Sequence, residues 1–498
     1  MNLLRDKILI LLFIFFGLLG LFTNVCADTL KYIDSSRQGT LTIEDVLDKE
    51  IPLFLKRYNI PGAAVTIVED GDIQWFRGYG LADKARGRPI DSNTIFQVAS
   101  CSKSVTAWGV MKLVEEGKLE LDSPVEEYLK SWSLPHSQYN SSKITIRHLL
   151  NHAAGIAKVN YPGTHPSEKL LSLEESLTGK FGFKVIGEPE KKFLYSGGGY
   201  TLLQLVIEDV TGMAFSEYMQ KEILKPLGMD NSSFDFNSEV HEKTAVAYGV
   251  MGQQLPNYLF TEKAAAGLYS TSKDIAKFMA AYTGETSFGK NILSKENLSL
   301  MYTSQRENYA LGCILGTLPN ETKVVWHGGA NRGWRSRFMI CPEEGDGIVI
   351  LTNSDNGEKL ITEIASLWIE WKDGSKPQFY HESKKEALIT RIIALLLAVG
   401  AVIYSIITSL NIHSGRTRVN IKKPILHVVI HVLMPMTIMI LWYMFFYLGS
   451  FTQGWAVAAF MPQGFGWLTL AVFLWGVVFG IRGLFLKKKS IHNVEGRN

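Results

Sequence analysis

Three long apolar runs in the last quarter of the chain constrain its fold most strongly. They occupy residues 387–410, 425–448 and 467–486. At about 1.5 Å of rise per residue, a helix of about 20 residues crosses a hydrocarbon core about 30 Å thick. Three such runs in succession, after a segment that is already long enough for a complete domain, predict three transmembrane helices rather than buried core helices.

The loops between these runs predict their orientation. The loop after the first run carries four basic residues and no acidic residue, the loop at 449–466 carries no charge, and three lysines follow the third run. Because basic loops remain on the cytoplasmic side, the residues before the first run should lie outside the cytoplasm. The uncharged loop at 449–466 should then lie along the outer membrane surface. The basic residues are Arg416, Arg418, Lys422, Lys423, Lys487, Lys488 and Lys489.

The N-terminus has the features of a secretory signal peptide. Arg5 and Lys7 precede an apolar run at 8–22, and small residues near Ala27 offer a cleavage site. An uncleaved anchor is the alternative, and it gives the same compartment. The predicted organisation is a signal peptide at 1–27, an extracytoplasmic domain at 28–372, a polar tether at 373–386 and a membrane domain at 387–498.

Composition excludes several classes of function. The chain of 498 residues has a net charge of +3 and no long run of one charge, so a nucleic-acid surface is not expected. After cleavage only Cys101, Cys313 and Cys341 remain, without a C-x-x-C pair. Neither a disulfide framework nor a thiolate metal site is therefore predicted.

Ser100 and Lys103 are the strongest catalytic candidates. Their i, i+3 spacing places a hydroxyl and an amine on one helix face, and an apolar pattern of helical period follows from Val105 to Val114. Ser100 would lie at a helix start, where free backbone N–H groups and the helix dipole favour an oxyanion. The spacing alone is weak evidence, since it also occurs at 270–273 and 287–290, and a serine N-cap with a solvated lysine is the alternative.

The rest of the domain shows an α+β pattern. An Asp-Gly turn at 70–71 joins two strands within 63–77, and helical segments dominate from about 100 to 283. We expect strands from both ends of the domain to share one antiparallel sheet, with a helical region inserted between them. The later elements are strands at 309–315, 323–326, 336–340 and 347–351 and a helix at 358–371.

Competing catalytic motifs are absent from the sequence. It contains neither G-x-S-x-G nor H-E-x-x-H. His148 and His152 have zinc-ligand spacing but precede Gly155 at a predicted helix end, and His427 and His431 are more typical of helix packing or a membrane interface. No metal or other cofactor is predicted.

An ordered series of motifs over residues 40–372 resembles the serine hydrolases typified by class C β-lactamases and low-molecular-weight penicillin-binding proteins. The resemblance implies an antiparallel sheet flanked by helices, with an all-helical subdomain, ahead of the three transmembrane helices. It also implies that Ser100 is the nucleophile. The motifs are FQVASCSK at 96–103, EGKLELD at 116–122, IRHLLNH at 146–152, YSGGGY at 195–200, PLGM at 226–229, AGLYSTS at 266–272 and WHGGA at 326–330.

The resemblance further assigns roles around Ser100. Lys103 and Tyr195 are the two candidate proton carriers, and the sequence leaves open which one is the base. Lowering the pKa of a lysine by about three units takes roughly 4 kcal/mol, so the site must be partly desolvated. The backbone N–H groups of Ser100 and Ala330 would form the oxyanion hole, and a strand containing His327, Gly328 and Gly329 would line the substrate.

Two positions depart from the family pattern. His327 stands where a lysine normally helps to bind a substrate carboxylate, and Gly197 replaces the asparagine that normally contacts the substrate amide and the lysine. Both changes predict weak β-lactam hydrolysis. Arg332, or its neighbours Arg335 and Arg337, can supply a carboxylate clamp, although exposed strand arginines are the alternative.

Two classes of function fit these motifs. The first is an extracytoplasmic hydrolase, anchored in the membrane, that forms an acyl-enzyme with a D-peptide, a peptidoglycan-like amide or an ester. The second is a slowly acylating penicillin-binding or sensor protein that signals through its membrane helices. The expected partners are a small substrate and the lipid bilayer, with no nucleic acid, and the sequence leaves the substrate and the oligomeric state open.

Overall fold

The computed structural model describes residues 42–488, except 160, 181, 285, 291, 415–416, 420–425, 427–428 and 450–453. The predicted signal peptide at 1–27 lies outside the described residues, as do Arg416, Lys422, Lys423, His427 and Lys489. The chain forms two compact units. The larger unit comprises Leu47–Glu382 and Met444–Met461, and the smaller comprises the described residues before 47, within 383–443 and after 461.

A seven-stranded antiparallel sheet forms the centre of the larger unit, in the spatial order Arg88–Pro89 (β3), Asp72–Asp83 (β2), Gly62–Glu69 (β1), Asp346–Thr352 (β11), Trp334–Cys341 (β10), Lys323–Asn331 (β9) and Ile314–Thr317 (β8). The first hairpin turns at Asp70 and Gly71, which both have positive φ angles, as a tight two-residue hairpin turn requires. β1 pairs with β2 on one side and with β11 on the other, so the expectation that both ends of the domain share one sheet is confirmed. The strands are β1 Gly62–Glu69, β2 Asp72–Asp83, β3 Arg88–Pro89, β4 Phe96–Gln97, β5 Ala247–Tyr248, β6 Gln254–Leu255, β7 Tyr269–Ser270, β8 Ile314–Thr317, β9 Lys323–Asn331, β10 Trp334–Cys341, β11 Asp346–Thr352, β12 Thr417–Val419 and β13 Leu486–Lys488.

The strand predicted at 309–315 is wrong in its position, because β8 begins only at Ile314. Tyr309 closes a tight turn by donating its N–H to the Arg306 carbonyl at 2.8 Å. Gly312 then takes a φ of +87°, and its backbone packs closely against Ala107. The left-handed residue interrupts the extended chain, which a pattern of apolar residues does not show.

Helices cover both faces of the sheet. On one face, the Thr66 hydroxyl lies 2.8 Å from the Ser272 hydroxyl at the start of helix α9 (Ser272–Ala280), and Phe338 packs edge-on against Phe278 of the same helix. On the other face, Arg337 of β10 forms an ion pair with Glu358 of helix α11 (Gly357–Asp373). The helices are α1 Ile43–Tyr58, α2 Cys101–Glu115, α3 Ile146–Leu150, α4 Leu173–Thr178, α5 Gly197–Thr211, α6 Phe215–Met219, α7 Ser238–Lys243, α8 Lys263–Ala266, α9 Ser272–Ala280, α10 Lys295–Met301, α11 Gly357–Asp373, α12 Gln378–His413, α13 Met434–Tyr443 and α14 Phe465–Phe485.

Helix α2 is the buried core of the helical region. Its residues from Cys101 to Met111 are all buried, and the Trp108 ring meets Phe278 and Tyr282 edge-on at 5.7 and 5.6 Å between centroids. Truncating a buried tryptophan of this kind typically costs about 3 to 5 kcal/mol. The helix that carries the candidate lysine is therefore held rigidly from its first turn.

The smaller unit contains most of the three apolar segments. Helices long and apolar enough to cross a membrane occupy Gln378–His413, Val429–Leu448 and Phe465–Gly483. This agrees with the three predicted spans. The first helix begins at Gln378, so residues 378–386 of the predicted tether are helical. β12 and β13 pair as a short antiparallel ladder that joins the segments after the first and third spans.

Candidate active site

Ser100 occupies the N-cap of α2, with its side chain free for chemistry. Its hydroxyl does not cap the helix and instead accepts a hydrogen bond from the Lys103 Nζ at 3.1 Å. The preceding residue, Ala99, has a φ of +49°, which is strained for a residue with a Cβ. The Ala99 carbonyl is fixed because it accepts both the Ser102 N–H at 2.9 Å and the Ser102 hydroxyl at 2.5 Å. Strain held in place next to a nucleophile is typical of functional sites.

Lys103 is buried, with 2% of its surface exposed. Its amine donates to the Ser100 hydroxyl and to the Ala265 carbonyl of α8, the latter at 2.7 Å. Burial lowers the pKa of Lys103 from its ordinary value of 10.5 to about 7. Near neutral pH, about half of the amines are therefore uncharged and able to accept a proton.

Tyr195 lies beside this pair. The Lys103 Nζ is 5.1 Å from the centre of the Tyr195 ring, and the His152 ring packs against the other side of the tyrosine at 4.3 Å between centroids. Part of the Tyr195 side chain is open to a cavity, and the rest is buried. Burial raises the pKa of Tyr195, although the neighbouring Ser100 hydroxyl acts in the opposite direction. The phenol therefore stays protonated near neutral pH.

The second half of β9 forms an open strand edge beside Ser100. β8 pairs only with residues 323–326 of β9, so residues 327–331 are paired with β10 on one side alone. Gly329 lies so close to the segment before Ser100 that a Cβ would overlap with the Val98 carbonyl oxygen and the Ser336 hydroxyl. A glycine at 329 is what allows the strand to pass this near the nucleophile.

A cavity of about 590 Å³ lies at this junction. Ser100 and Ala330, whose N–H groups are the predicted oxyanion hole, both border it. Among the described residues that line it, Lys103 and Glu358 are the only basic and acidic side chains. The lining residues are Ser100, Lys103, Val159, Tyr161, Tyr195, Gly197, Ala265, Ala266, Gly328, Gly329, Ala330, Asn331, Glu358, Trp455 and Phe460.

His327 is not among the described residues that line the cavity. It alternates with Gly328 along β9 and faces the buried side, where the Tyr309 hydroxyl lies 3.1 Å from its Nε2. Its Nδ1 donates to the Gly328 carbonyl at 2.7 Å, so Nε2 accepts the hydroxyl proton of Tyr309. Burial, with the nearby Lys103 charge, lowers the pKa of His327 to about 3. A neutral imidazole in this position offers no charge to a substrate carboxylate.

The sequence of residues 47–368, which contains Ser100, Lys103, Tyr195 and the strand β9, matches the Beta-lactamase family. The chain belongs to the beta-lactamase family. The family includes serine hydrolases and penicillin-binding proteins, and the order of the elements around Ser100 is that of its sheet-and-helix fold.

Similar proteins share this beta-lactamase-family region. Protein flp of Staphylococcus aureus strain MRSA252 is 26% identical over 314 residues, which cover 62% of each chain. This chain therefore spans less than two thirds of the length of that relative. Penicillin-binding protein 4* of Bacillus subtilis strain 168 is 26% identical over 367 residues, or 66% of this chain and 76% of the relative.

Solved structures show the same fold. The octameric penicillin-binding protein homologue from Pyrococcus abyssi is 28% identical and superposes with a TM-score of 0.58 over 69% of this chain and 80% of its own. A class C beta-lactamase is 22% identical and superposes with a TM-score of 0.54 over 63% of this chain and 91% of its own. The predicted antiparallel sheet flanked by helices is thereby confirmed.

Gly197 departs from the beta-lactamase-family pattern for a steric reason. It is the first residue of α5, and a Cβ there would lie 2.9 Å from the Tyr161 ring and 3.0 Å from the Val159 carbonyl oxygen. Tyr161 therefore occupies the space that an asparagine side chain would need. The contact to Lys103 that such an asparagine provides comes instead from the Ala265 carbonyl. Tyr161 was not predicted, because nothing in its local sequence brings it next to residue 197.

The three arginines after β9 do not line the cavity. Arg335 is buried and lies 3.2 Å from Asp355, and Arg337 lies 2.6 Å from Glu358. Arg332, the predicted carboxylate clamp, lies over the Tyr258 ring at 4.1 Å. In place of a cation, the beta-lactamase-family cavity here presents the Glu358 carboxylate.

The other sequence candidates have structural partners. His148 forms a capping box with Thr145 and lies 3.2 Å from Glu190, while His152 accepts the Ser196 N–H at 3.3 Å. Within the described ranges, no group of three or more His, Cys, Asp or Glu residues could hold a metal ion.

Neither Cys101 nor Ser270 is placed to act as the nucleophile instead of Ser100. Burial raises the pKa of Cys101 to about 12, so this thiol does not compete with Ser100. Ser270 bonds to the Ser232 hydroxyl at 2.8 Å, whereas its spacing partner Lys273 lies over the Phe76 ring. The S-x-x-K spacing at 270–273 does not bring the two groups together.

Proposed function

We propose that this chain is a serine hydrolase that transfers the acyl group of a neutral ester or amide first to Ser100 and then to water. The observation that carries the proposal is the buried Lys103 amine, 3.1 Å from the Ser100 hydroxyl, with its pKa lowered to about 7. A serine needs such a base, because its hydroxyl hardly ionises at neutral pH.

The chemical step follows from this pair. Ser100 Oγ attacks the carbonyl carbon while its proton moves to Lys103 Nζ. The tetrahedral intermediate then collapses, the bond to the leaving group breaks, and the proton is delivered to that group. Water repeats the sequence on the ester of Ser100 and releases the acid. Because burial lowers the pKa of Lys103 and raises that of Tyr195, Lys103 is the base and the Tyr195 hydroxyl acts as a neutral proton relay.

The backbone N–H groups of Ser100 and Ala330 are proposed to bind the developing oxyanion. Both residues border the cavity, and Ser100 lies at the N-terminus of a 15-residue helix whose dipole favours negative charge. Loss of one such donor typically costs about 100-fold to 1,000-fold in kcat. This arrangement supports acyl transfer to any carbonyl that the cavity admits.

Charge favours a neutral substrate. Lys103 is largely uncharged above pH 7, and Arg337 is already paired with Glu358, so the carboxylate of a C-terminal D-amino acid or a β-lactam meets no complementary cation on the described cavity wall. The Glu358 carboxylate is compensated by Arg337, so this pair offers no free positive charge to an anion. Neutral esters and amides are therefore preferred to penicillins and free-carboxylate peptides.

The proposed location is the outer face of a membrane. Three helices have the length and composition of spans, and β12 pairs with β13, which supports a common end for the segments after the first and third spans. Both segments are basic in sequence, which supports a cytoplasmic position for that end and an extracytoplasmic position for the hydrolase.

Covalent labelling tests the proposal directly. The full chain, purified in detergent, would be treated with a fluorescent phosphonate and separately with a p-nitrophenyl acetate, a chromogenic cephalosporin and a D-alanyl-D-alanine peptide. We expect labelling and ester turnover that Ser100→Ala abolishes and that the exposed control Ser287→Ala leaves intact. Cephalosporin or peptide turnover faster than ester turnover would contradict the preference for a neutral substrate. Permanent acylation without turnover would instead indicate a penicillin-binding sensor.

A further inference from the structure

Two aromatic residues, Trp455 and Phe460, form one wall of the active-site cavity, and we call them the aromatic wall. They belong to the segment 454–461, which is part of the larger compact unit although it lies between the second and third apolar spans in sequence. Their ring centroids are 6.1 Å apart, and both residues line the cavity that contains Ser100. The sequence had placed this loop only along a membrane surface.

The segment is fixed to the catalytic sheet by two arginines. The Phe460 ring lies 4.9 Å from the Arg335 guanidinium, which is itself held by Asp355 and by the Asn331 and Trp334 carbonyls. Gly454 contacts the Arg332 guanidinium so closely that any Cβ would overlap with it. These contacts place the aromatic wall against the turn that follows the proposed oxyanion-hole strand.

The Phe460 ring is nevertheless 53% exposed, although Ala456, Ala458 and Ala459 beside it are buried. The three alanines thus pack the segment against the protein, whereas the Phe460 ring remains exposed and can contact a ligand. An exposed aromatic surface inside a catalytic cavity is typical of a binding site for an apolar group.

Chain length keeps this wall close to the apolar helices. Leu448, the end of the second span, lies only six positions before Gly454, and Phe460 lies only five positions before Phe465, the start of the third. Six residues reach at most about 20 Å when fully extended. The chain therefore tethers the ends of two spans within about this distance of the aromatic wall.

From these observations we infer that the hydrolase acts on amphiphilic esters or amides at a membrane surface. The aromatic wall binds the apolar part next to the scissile carbonyl, and the remainder of the apolar chain stays with the lipid. This inference rests on the proposed acyl transfer by Ser100 and names the substrate class for it. The neutral cavity and the apolar wall both favour such a molecule over a soluble carboxylated peptide.

A chain-length series tests the inference. The full chain in lipid nanodiscs would hydrolyse p-nitrophenyl esters from acetate to octanoate, with kcat/KM measured for each ester. Each methylene that is buried is worth up to about a fourfold gain in kcat/KM. We expect kcat/KM to rise along the series, and Trp455→Ala and Phe460→Ala each to lower the octanoate-to-acetate ratio by about tenfold. Phe460→Leu, which keeps an apolar side chain, should restore most of the ratio.

The control is Trp371→Ala, because Trp371 is 47% exposed on α11 and distant in sequence from the wall. It should keep the ratio of the unaltered protein. A ratio that does not change in Trp455→Ala and Phe460→Ala, while both variants are still labelled at Ser100, would overturn the inference but leave the proposed acyl transfer standing. Higher activity on every ester in those variants would also overturn it, because the segment would then be a lid. Loss of labelling in the unaltered chain would instead reject the acyl transfer itself.

Discussion

Raising the pH from 5.5 to 9 should switch on the acylation of Ser100, because the step requires an uncharged Lys103. The folded protein holds the pKa of this lysine at about 7, since the amine is buried and receives no compensating carboxylate from the described residues around it. The acylation rate should therefore rise tenfold per pH unit below 7 and level off above it. Lys103→Arg, which keeps the charge at every accessible pH, should lower the plateau by about 100-fold to 10,000-fold.

The size of the effect follows from the shift. A solvated lysine with a pKa of 10.5 is uncharged in only about one molecule in 3,000 at pH 7, whereas Lys103 is uncharged in about one in two. Burial thus supplies more than a thousandfold increase in the active form. The free energy for this shift is about 5 kcal/mol, and the packed core around α2 supplies it.

Stopped-flow labelling with a fluorescent phosphonate measures the acylation rate across this range. Lys273→Arg serves as the matched control, because Lys273 lies over the Phe76 ring and not at Ser100. A rate that is flat between pH 6 and 9, or that rises with a midpoint near 10, would refute the assignment of Lys103 as a base prepared by burial. A second rise near pH 10 that disappears in Tyr195→Phe would move the base to Tyr195.

Three further outcomes follow from the same geometry. Gly329→Ala should lower the free energy of unfolding by about 2 to 3 kcal/mol in urea denaturation, because its Cβ would overlap with the Val98 carbonyl. Gly328→Ala is the control. Its Cβ would have no neighbour within 3.6 Å, so the free energy of unfolding should change by less than about 1 kcal/mol. Gly197→Asn alone should not raise the hydrolysis of a chromogenic cephalosporin, and we expect a gain only when Tyr161→Ala also makes room; a gain in the single variant would contradict the steric explanation. Lys103→Met should be more stable than the unaltered chain at pH 7, and this advantage in the free energy of unfolding should shrink by about 4 kcal/mol by pH 10.5. Between these pH values the folded lysine is uncharged while the unfolded lysine still holds its proton, so raising the pH stabilises the unaltered chain. A difference in melting temperature that stays constant over this range would contradict the prediction.

Sequence reasoning located the catalytic pair, Tyr195 and the strand at 327–330, but not the rest of the cavity. Ser100 and Lys103 could be predicted because the ordered series of family motifs over residues 40–372 singled out one of three S-x-x-K spacings. The strain at Ala99 and the filling of the site by Tyr161 depend on contacts between segments far apart in the chain, so no local pattern shows them. The aromatic wall was missed for the same reason, since Trp455 lies 355 residues after Ser100.

His327 illustrates a different limit. The family motif placed the residue on the correct strand, but a motif does not state which neighbours a buried side chain bonds to. Gly329 and Asn331 lie on the same face of β9 as His327 and line the cavity, whereas the imidazole lies 3.1 Å from the Tyr309 hydroxyl and does not line it. Residue identity could be matched from the sequence, whereas this contact required the folded position of Tyr309.

The pairing of β1 with β11 has a consequence for the way the domain is made. Ala63 of β1 pairs with Thr352 of β11, so β1 cannot complete its pairing until a strand nearly 290 residues later has been synthesised. Contacts between residues this far apart in sequence make folding slow, and an unpaired strand edge is prone to association with other chains. When the last partner emerges, only about 25 residues of chain remain before Gln378 begins the first apolar helix. Closure of the sheet and emergence of the first apolar helix are thereby brought close together in time during biosynthesis.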